Sequence, residues 1–301
     1  MPLIDLEPTF GKKQQSLQQW NPLFFIRHGI GSSHKPFDNL KQFLEKTFPQ
    51  CKTDNKSYDW KDSVLLNGAR LAKEVLNANT DRPVILIGHS MGGLLCRVAN
   101  VALTDPSGFV SLVKSLAPQL TYRNVDVLDI AALQLVLPKN PITAIITLAT
   151  PNSGAMLAGQ LSGIPYLLKT ALNLFPPTNL QSVADLTSSR LFRFLQNFAV
   201  DTRTLSISGS QGNRFARGSG QLAAWVGKAG LKMEMPNDLV VEDRSVDLQY
   251  SILPNEILHH GKSLYKHARC YMDCVDVAHT DIYTDTKQNV RELMVDFLQR
   301  C

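Results

Sequence analysis

Residues 84–97 read V-I-L-I-G-H-S-M-G-G-L-L-C-R, and no other stretch restricts the fold of this chain as tightly. Four consecutive apolar residues, Val84 to Ile87, fit a strand buried on both faces, whereas Leu94, Leu95 and Val98 recur on one side of a helix. Between them stands Gly88-His89-Ser90-Met91-Gly92. A serine at so sharp a strand-to-helix turn adopts a strained backbone. Glycines two residues to either side let neighbouring backbone approach without a Cβ clash. The helix that follows aims its first amides, that of Met91 among them, at any anion forming beside the serine. A bare G-x-S-x-G is a modest signal, but the strand before it, the helix after it and the additional Gly93 supply the surroundings of a nucleophile elbow. The competing reading is a turn whose serine is inert.

Further strand-like runs surround this one. Leu23 to Ile26 precedes it, and Ile142 to Leu148, Thr204 to Ser208 and about 269–277 follow. Helical spacing of apolar residues appears over Phe37–Phe48, over Val64–Leu76 and in Val290, Leu293, Met294 and Phe297. Strands alternating with helices predict an α/β architecture, a mainly parallel sheet with helices on both faces, in a single domain spanning 1–301. Two stretches interrupt the alternation. Residues 155–200 are apolar and helical but carry Pro165 and Pro176-Pro177, as expected of a helical cap insertion; residues 211–234 form a Gly- and Arg/Lys-bearing surface excursion around Trp225.

Composition excludes several classes. With 31 Lys+Arg against 26 Asp+Glu, the net charge of +5 on 301 residues is too small and too dispersed for a nucleic-acid-binding stripe. No apolar run reaches the length of a membrane span, and the start, M-P-L-I-D-L-E, lacks the basic and apolar regions of a secretory signal. A cytoplasmic location is expected on this reading, with export by a signal-independent route still open. Cys51, Cys96, Cys270, Cys274 and Cys301 are odd in number and lack metal-site spacing, so reduced thiols and no metal or cofactor are expected.

Five segments together carry a family resemblance: F-F-I-R-H-G-I-G at 24–31, G-H-S-M-G-G-L at 88–94, T-L-A-T-P-N-S-G at 147–154, N-D-L-V-V at 237–241 and A-H-T-D at 278–281. In order and spacing the chain resembles the α/β-hydrolase superfamily of lipases and esterases. Within it the chain is similar to the branch holding serine esterases and inositol deacylases of glycosylphosphatidylinositol anchors. It departs from that branch at Asn152, where many relatives carry His, and at Leu239, where many carry Gly. In this fold the catalytic order is Ser, acid, His, each at the C-terminal edge of the sheet. The loop after Leu148 offers no acid, so Asp238 is the expected acid, with Asp243 as runner-up and Glu242 and Asp247 weaker. Among His259, His260, His267 and His279, only His279 follows the last strand directly and precedes the final helix, so it is the expected base, with Asp281 placed to orient its loop. The resemblance implies that the amide of Ile30 joins that of Met91 as an oxyanion donor, in a loop shaped by His28-Gly29.

The expected chemistry is hydrolysis of carboxylic esters by Ser90, Asp238 and His279 through an acyl-enzyme. Acyl transfer to an alcohol, thioester hydrolysis, or a non-catalytic binding module on the same fold are the alternatives. Leu and Phe residues in the insertion at 155–200 suit a groove for acyl chains, which favours esters of lipids or phospholipids; the same residues could instead pack helices onto the sheet. Arg214, Arg217, Lys228 and Lys232 beside Trp225 form a candidate membrane-surface contact, against the alternative of a solvated excursion.

Overall fold

The structure, a computed structural model, describes residues 19–78, 81–116, 140–152, 195, 202–209, 270–275, 282–284 and 288–299. Its strands are β1 (Leu23–Arg27), β2 (Lys52–Asn55), β3 (Val84–His89), β4 (Ile142–Leu148), β5 (Arg203–Gly209) and β6 (Cys270–Val275). They form one sheet in the order β2-β1-β3-β4-β5-β6. Every pairing among them is parallel. The helices are α1 (Asp38–Thr47), α2 (Val64–Asn77), α3 (Met91–Thr104), α4 (Pro106–Leu116) and α5 (Gln288–Gln299).

Alternation of side chains along the strands divides the core into two layers. Phe25, Val84, Leu86, Ile142 and Ile145 face α2, α3 and α4. Phe24, Ile26, Ile85, Ile87, Ile146, Leu148, Leu205 and Ile207 face α1 and α5. Helices therefore cover both faces, as the uniformly apolar strands imply. Ser63 starts α2 by accepting the amide of Leu65 on its Oγ at 3.2 Å, which satisfies one of the helix's orphan donors.

Five strands are expected from the apolar runs, and six are found among the described residues. The addition is β2, Lys-Thr-Asp-Asn, a polar strand that among the described residues stands at the edge of the sheet and pairs with β1 alone. An edge strand open to solvent needs no apolar alternation, and charge on it discourages pairing with another chain.

Of the stretch at 155–200, Leu195 lies within the described residues, and it is buried in the layer against α2 and α3. The remainder of the expected cap, and the whole excursion at 211–234, lie outside them. Among the described residues no helix is long and apolar enough to cross a membrane.

The sheet order locates a crevice. From β1 the chain moves to one side to form β2 and then returns to form β3 on the other side of β1. The connections leaving the C-terminal ends of β1 and β3 thus diverge, and an open α/β sheet offers its binding crevice at such a reversal.

Candidate active site

Ser90 stands at that reversal, between the end of β3 and the start of α3, with φ 51° and ψ −125°. A non-glycine residue with positive φ is strained. Three constraints hold it there. The amide of Ser90 donates to the carbonyl of Leu148 at 2.8 Å, which ties the turn to β4. Its own carbonyl accepts the amide of Gly93 at 3.0 Å, which starts the first turn of α3. The two motif glycines let the turn close: a Cβ on Gly88 would lie 2.4 Å from the carbonyl carbon of Gly92, and a Cβ on Gly92 would lie 2.3 Å from the carbonyl oxygen of Arg27 and 2.5 Å from that of His28.

The neighbour across the crevice is the loop after β1. A Cβ on Gly29 would fall 2.8 Å from the Cβ of Ser90, so the backbone of this loop runs directly against the serine. His28 shapes the loop. It is 1 % exposed, its ring stacks on Tyr58 with centroids 4.3 Å apart, and its Nδ1 lies 2.8 Å from the carbonyl oxygen of Gly29. A carbonyl only accepts, so Nδ1 carries the proton; Nε2, 3.4 Å from the backbone amide of Tyr58, is then the acceptor. The Tyr58 hydroxyl donates to the carbonyl of His28 at 2.7 Å. Burial lowers the pKa of His28 below its ordinary 6.5, despite the opposing effect of the Gly29 carbonyl. The neutral ring that results has one donor and one acceptor, each with a partner.

Arg27, the last residue of β1, anchors the loop from behind. Its side chain is 3 % exposed; Nη1 meets Asp54 Oδ1 at 3.1 Å and Nη2 meets the carboxylate of Glu74. Nη1 also donates to the carbonyl of Ile26 at 2.9 Å. A second cation, Arg97 on α3, is buried and donates through Nη1 to the carbonyl oxygen and the Oδ1 of Asn152, at 3.1 and 3.2 Å. Asn152 thus secures the loop after β4 to the elbow helix.

Next to Ser90 an aromatic cluster joins three elements. Phe37 stacks on Tyr283 at 4.3 Å, and Tyr283 meets the ring of His89 edge-on at 4.6 Å. Residues 282–284 thereby lie beside the residue that precedes Ser90.

Of the residues expected to act, Ser90, Met91 and Ile30 are described, and their elements meet at one crevice. Met91 opens α3, so its amide is among the first of the helix, which have no intrahelical partner. Asp238, His279, Asp281 and the alternatives Asp243, Glu242 and Asp247 lie outside the described residues. Tyr58, Tyr283, Arg27 and Arg97 escape a sequence reading, because nothing in their local pattern signals contact with residues tens of positions away. Among the described residues no group of His, Cys, Asp and Glu could hold a metal ion.

No family model and no curated protein matches the chain. Solved structures do resemble it. The mature form of the Bacillus licheniformis lipase BlEst2 is 16% identical, with a TM-score of 0.56 over 92% of this chain and 91% of the lipase. Its propeptide form gives a TM-score of 0.58 over 95% of this chain, which spans about half (51%) of that longer protein. A metagenomic carboxyl esterase, 14% identical, gives 0.56 over 93% of this chain and 74% of the esterase. Together with the parallel sheet and its elbow, these likenesses show the α/β-hydrolase fold.

Proposed function

We propose that, on this α/β-hydrolase fold, the chain is a serine hydrolase of carboxylic esters, with Ser90 as nucleophile, His279 as general base and Asp238 as the acid that orients it. The observation that carries the reading is the strained φ of Ser90 at the β1/β3 reversal, with the backbone of Gly29 packed against it. Strain of this kind persists only where its surroundings enforce it, and it presents Oγ at the mouth of the crevice. The place of His279 is supported by both ends of its segment. It follows β6, three strands from β3 and so about 14 Å away at ordinary strand spacing. It precedes Tyr283 by four residues, a reach of at most about 14 Å, and Tyr283 packs on His89.

In the reaction His279 removes the proton of Ser90 Oγ as that oxygen adds to the ester carbonyl. Charge gathers on the former carbonyl oxygen, where the amides of Ile30 and Met91 receive it. Backbone donors suit this task because they are oriented before the charge develops. Collapse returns the proton through His279 to the departing alcohol. Water, deprotonated by the same histidine, then splits the acyl-enzyme into free acid and restored Ser90.

The resemblance to the esterase and inositol-deacylase branch and the apolar composition of 155–200 direct the substrate reading to acyl esters of lipids or phospholipids. A membrane-surface contact through Arg214, Arg217, Trp225, Lys228 and Lys232 fits that substrate. The burial of Leu195 in the core assigns at least that position to packing rather than to a groove.

The test is intact-mass analysis after treatment with a fluorophosphonate probe, on the wild type and on Ser90→Ala in parallel. A single adduct that disappears in the variant is the expected result. A folded wild type that forms no adduct, or an adduct that survives in Ser90→Ala, overturns the assignment and moves the binding-module reading ahead. A chain-length series with best turnover on acetyl esters would reject lipid acyl chains. A competing alcohol in the assay separates hydrolysis from acyl transfer.

A further inference from the structure

The loop that faces Ser90 is held by a side chain whose role the elbow motif does not explain. His28 Nδ1 donates to the carbonyl of Gly29, 2.8 Å away. That carbonyl and the amide of Ile30 belong to one peptide unit. A trans peptide is planar, so its C=O and N–H point in opposite directions, and a partner that fixes one fixes the other. The donor on His28 therefore sets the direction of the Ile30 amide. The tautomer required for this is secured in turn by Tyr58, whose backbone amide occupies Nε2 and whose ring stacks on the imidazole. The Tyr58 hydroxyl holds the preceding carbonyl, that of His28, at 2.7 Å. Successive carbonyls on the strand side of Ile30 are thus both pinned, and Gly29 between them packs on Ser90.

We propose that His28 is a positioning residue which, as the Nδ1-protonated tautomer locked by Tyr58, turns the peptide between Gly29 and Ile30 so that the Ile30 amide faces the oxyanion. The inference rests on the serine-hydrolase reading and assigns to that site the device that aims one of its donors. Nothing in it requires His28 to touch substrate or to exchange a proton during turnover.

The experiment compares an oxygen ester with its thionoester, because the larger, weakly accepting sulfur draws little from oxyanion donors. His28→Ala should lower kcat on a p-nitrophenyl ester by about a hundredfold, the scale of losing one oxyanion donor, with KM within about twofold of wild type. Thionoester turnover should fall less than about threefold, so the oxygen-to-sulfur rate ratio collapses. His28→Asn, whose amide can donate from the place of Nδ1, should recover most of the oxygen-ester rate. Tyr58→Phe keeps the stack while freeing the His28 carbonyl, and should shift the ratio in the same direction by about fivefold, the worth of one hydrogen bond. It also covers the case in which His28→Ala does not fold.

Equal losses on both substrates, or an unchanged ratio in both His28→Ala and Tyr58→Phe, would overturn the positioning role. Ser90→Ala, run alongside, separates the two levels: esterase activity surviving there, or a wild type inactive on every ester, overturns the hydrolase reading itself. A long-range proton–nitrogen NMR spectrum of histidine-labelled protein needs no turnover. An Nε2-protonated His28 in that spectrum would overturn the proposal whatever the kinetics.

Discussion

Gly92→Ala adds one methyl group at the second position of α3, and the three atoms nearest to it all belong to backbone. The new Cβ would lie 2.3 Å from the carbonyl oxygen of Arg27 and 2.5 Å from that of His28. Carbon-to-oxygen contacts of this kind ordinarily begin near about 3.3 Å, so a movement of about 1 Å is needed. Neither oxygen yields easily. Arg27 is in register with Gly88 and its side chain is tied to Asp54 and Glu74, while the carbonyl of His28 holds the Tyr58 hydroxyl. Overpacking of this sort costs about 3 kcal/mol at the upper end, and alanine's better helix propensity returns up to about 1 kcal/mol. The net loss of about 2 kcal/mol corresponds to a Tm lowered by roughly 4 °C for a domain of this size. Activity should fall further than stability, because the same movement separates Ser90 and Met91 from the loop of Ile30. A misplacement of about 1 Å in a reacting constellation costs on the order of a hundredfold in rate. Thermal unfolding followed by circular dichroism, with kcat normalised to fluorophosphonate-titrated sites, measures both effects. A Gly92→Ala protein with wild-type Tm and kcat within about threefold of wild type would refute the steric argument, since propensity alone predicts stabilisation.

Arg27→Leu removes a buried cation and leaves Asp54, at 17 % side-chain exposure, with Lys56 at 2.6 Å as its one remaining ion-pair partner among the described residues. Because Glu74 is 41 % exposed and can rehydrate, the expected loss in urea unfolding is about 3 kcal/mol, the lower end of the range for a broken buried pair; a change under about 0.5 kcal/mol would refute it. His28 titrates below its ordinary 6.5 because it is buried, so the unfolded chain takes up a proton that the native chain refuses. This contribution to stability is complete above about pH 6.5 and is lost as the pH falls from there toward the lower native value. The urea midpoint should therefore drop more steeply between about pH 7 and about pH 5.5 in the wild type than in His28→Asn, and equal slopes would contradict the assignment. Burial pushes the Cys96 thiol up to about 12, and burial together with the nearby Glu45 carboxylate pushes that of Cys51 up to about 11. Only thiolates react, so peptide mapping after iodoacetamide at about pH 8 should find both unmodified in the native protein and both labelled in denaturant; stoichiometric labelling of native Cys96 would refute this.

The buried strands were legible because burial on both faces leaves a continuous apolar run as the only stable composition. Expected runs at 84–87, 142–148 and 204–208 lie within or coincide with β3, β4 and β5. Strand β2 was not legible, since Lys-Thr-Asp-Asn is polar throughout: Lys52 is exposed, the other three are half-buried, and Asp54 is held by its ion pair with Arg27 rather than by apolar packing. The helices α1, α2 and α5 showed their apolar faces. By contrast, α4, which begins at Pro106 directly after α3, is not among the expected helices. The site divides in the same way. Ser90 and its glycines are announced locally, because the strain and its relief occur within five residues. The groups that hold the facing loop come from far along the chain: Tyr58 lies 30 residues beyond His28, and Glu74 lies 47 beyond Arg27. No local pattern encodes such meetings.

One consequence of this division bears on how little sequence the fold requires. The elbow is held by amide-to-carbonyl bonds, from Ser90 to Leu148 and from Gly93 to Ser90, and by the absence of Cβ atoms at Gly88 and Gly92. Apart from those glycines, none of these contacts depends on a side chain. The layers above and below the sheet ask only for apolar residues of suitable volume, and such cores tolerate extensive exchange. Constraint on residue identity therefore concentrates in a few short segments. Elsewhere it relaxes to a pattern, so a lipase and an esterase that are 16% and 14% identical to this chain can share its fold over more than nine-tenths of its length. By the same reasoning the distant contacts of His28 with Tyr58 and of Arg27 with Glu74 depend on particular side chains. Exchanges at those positions should be paid for in the facing loop, while the elbow keeps its geometry.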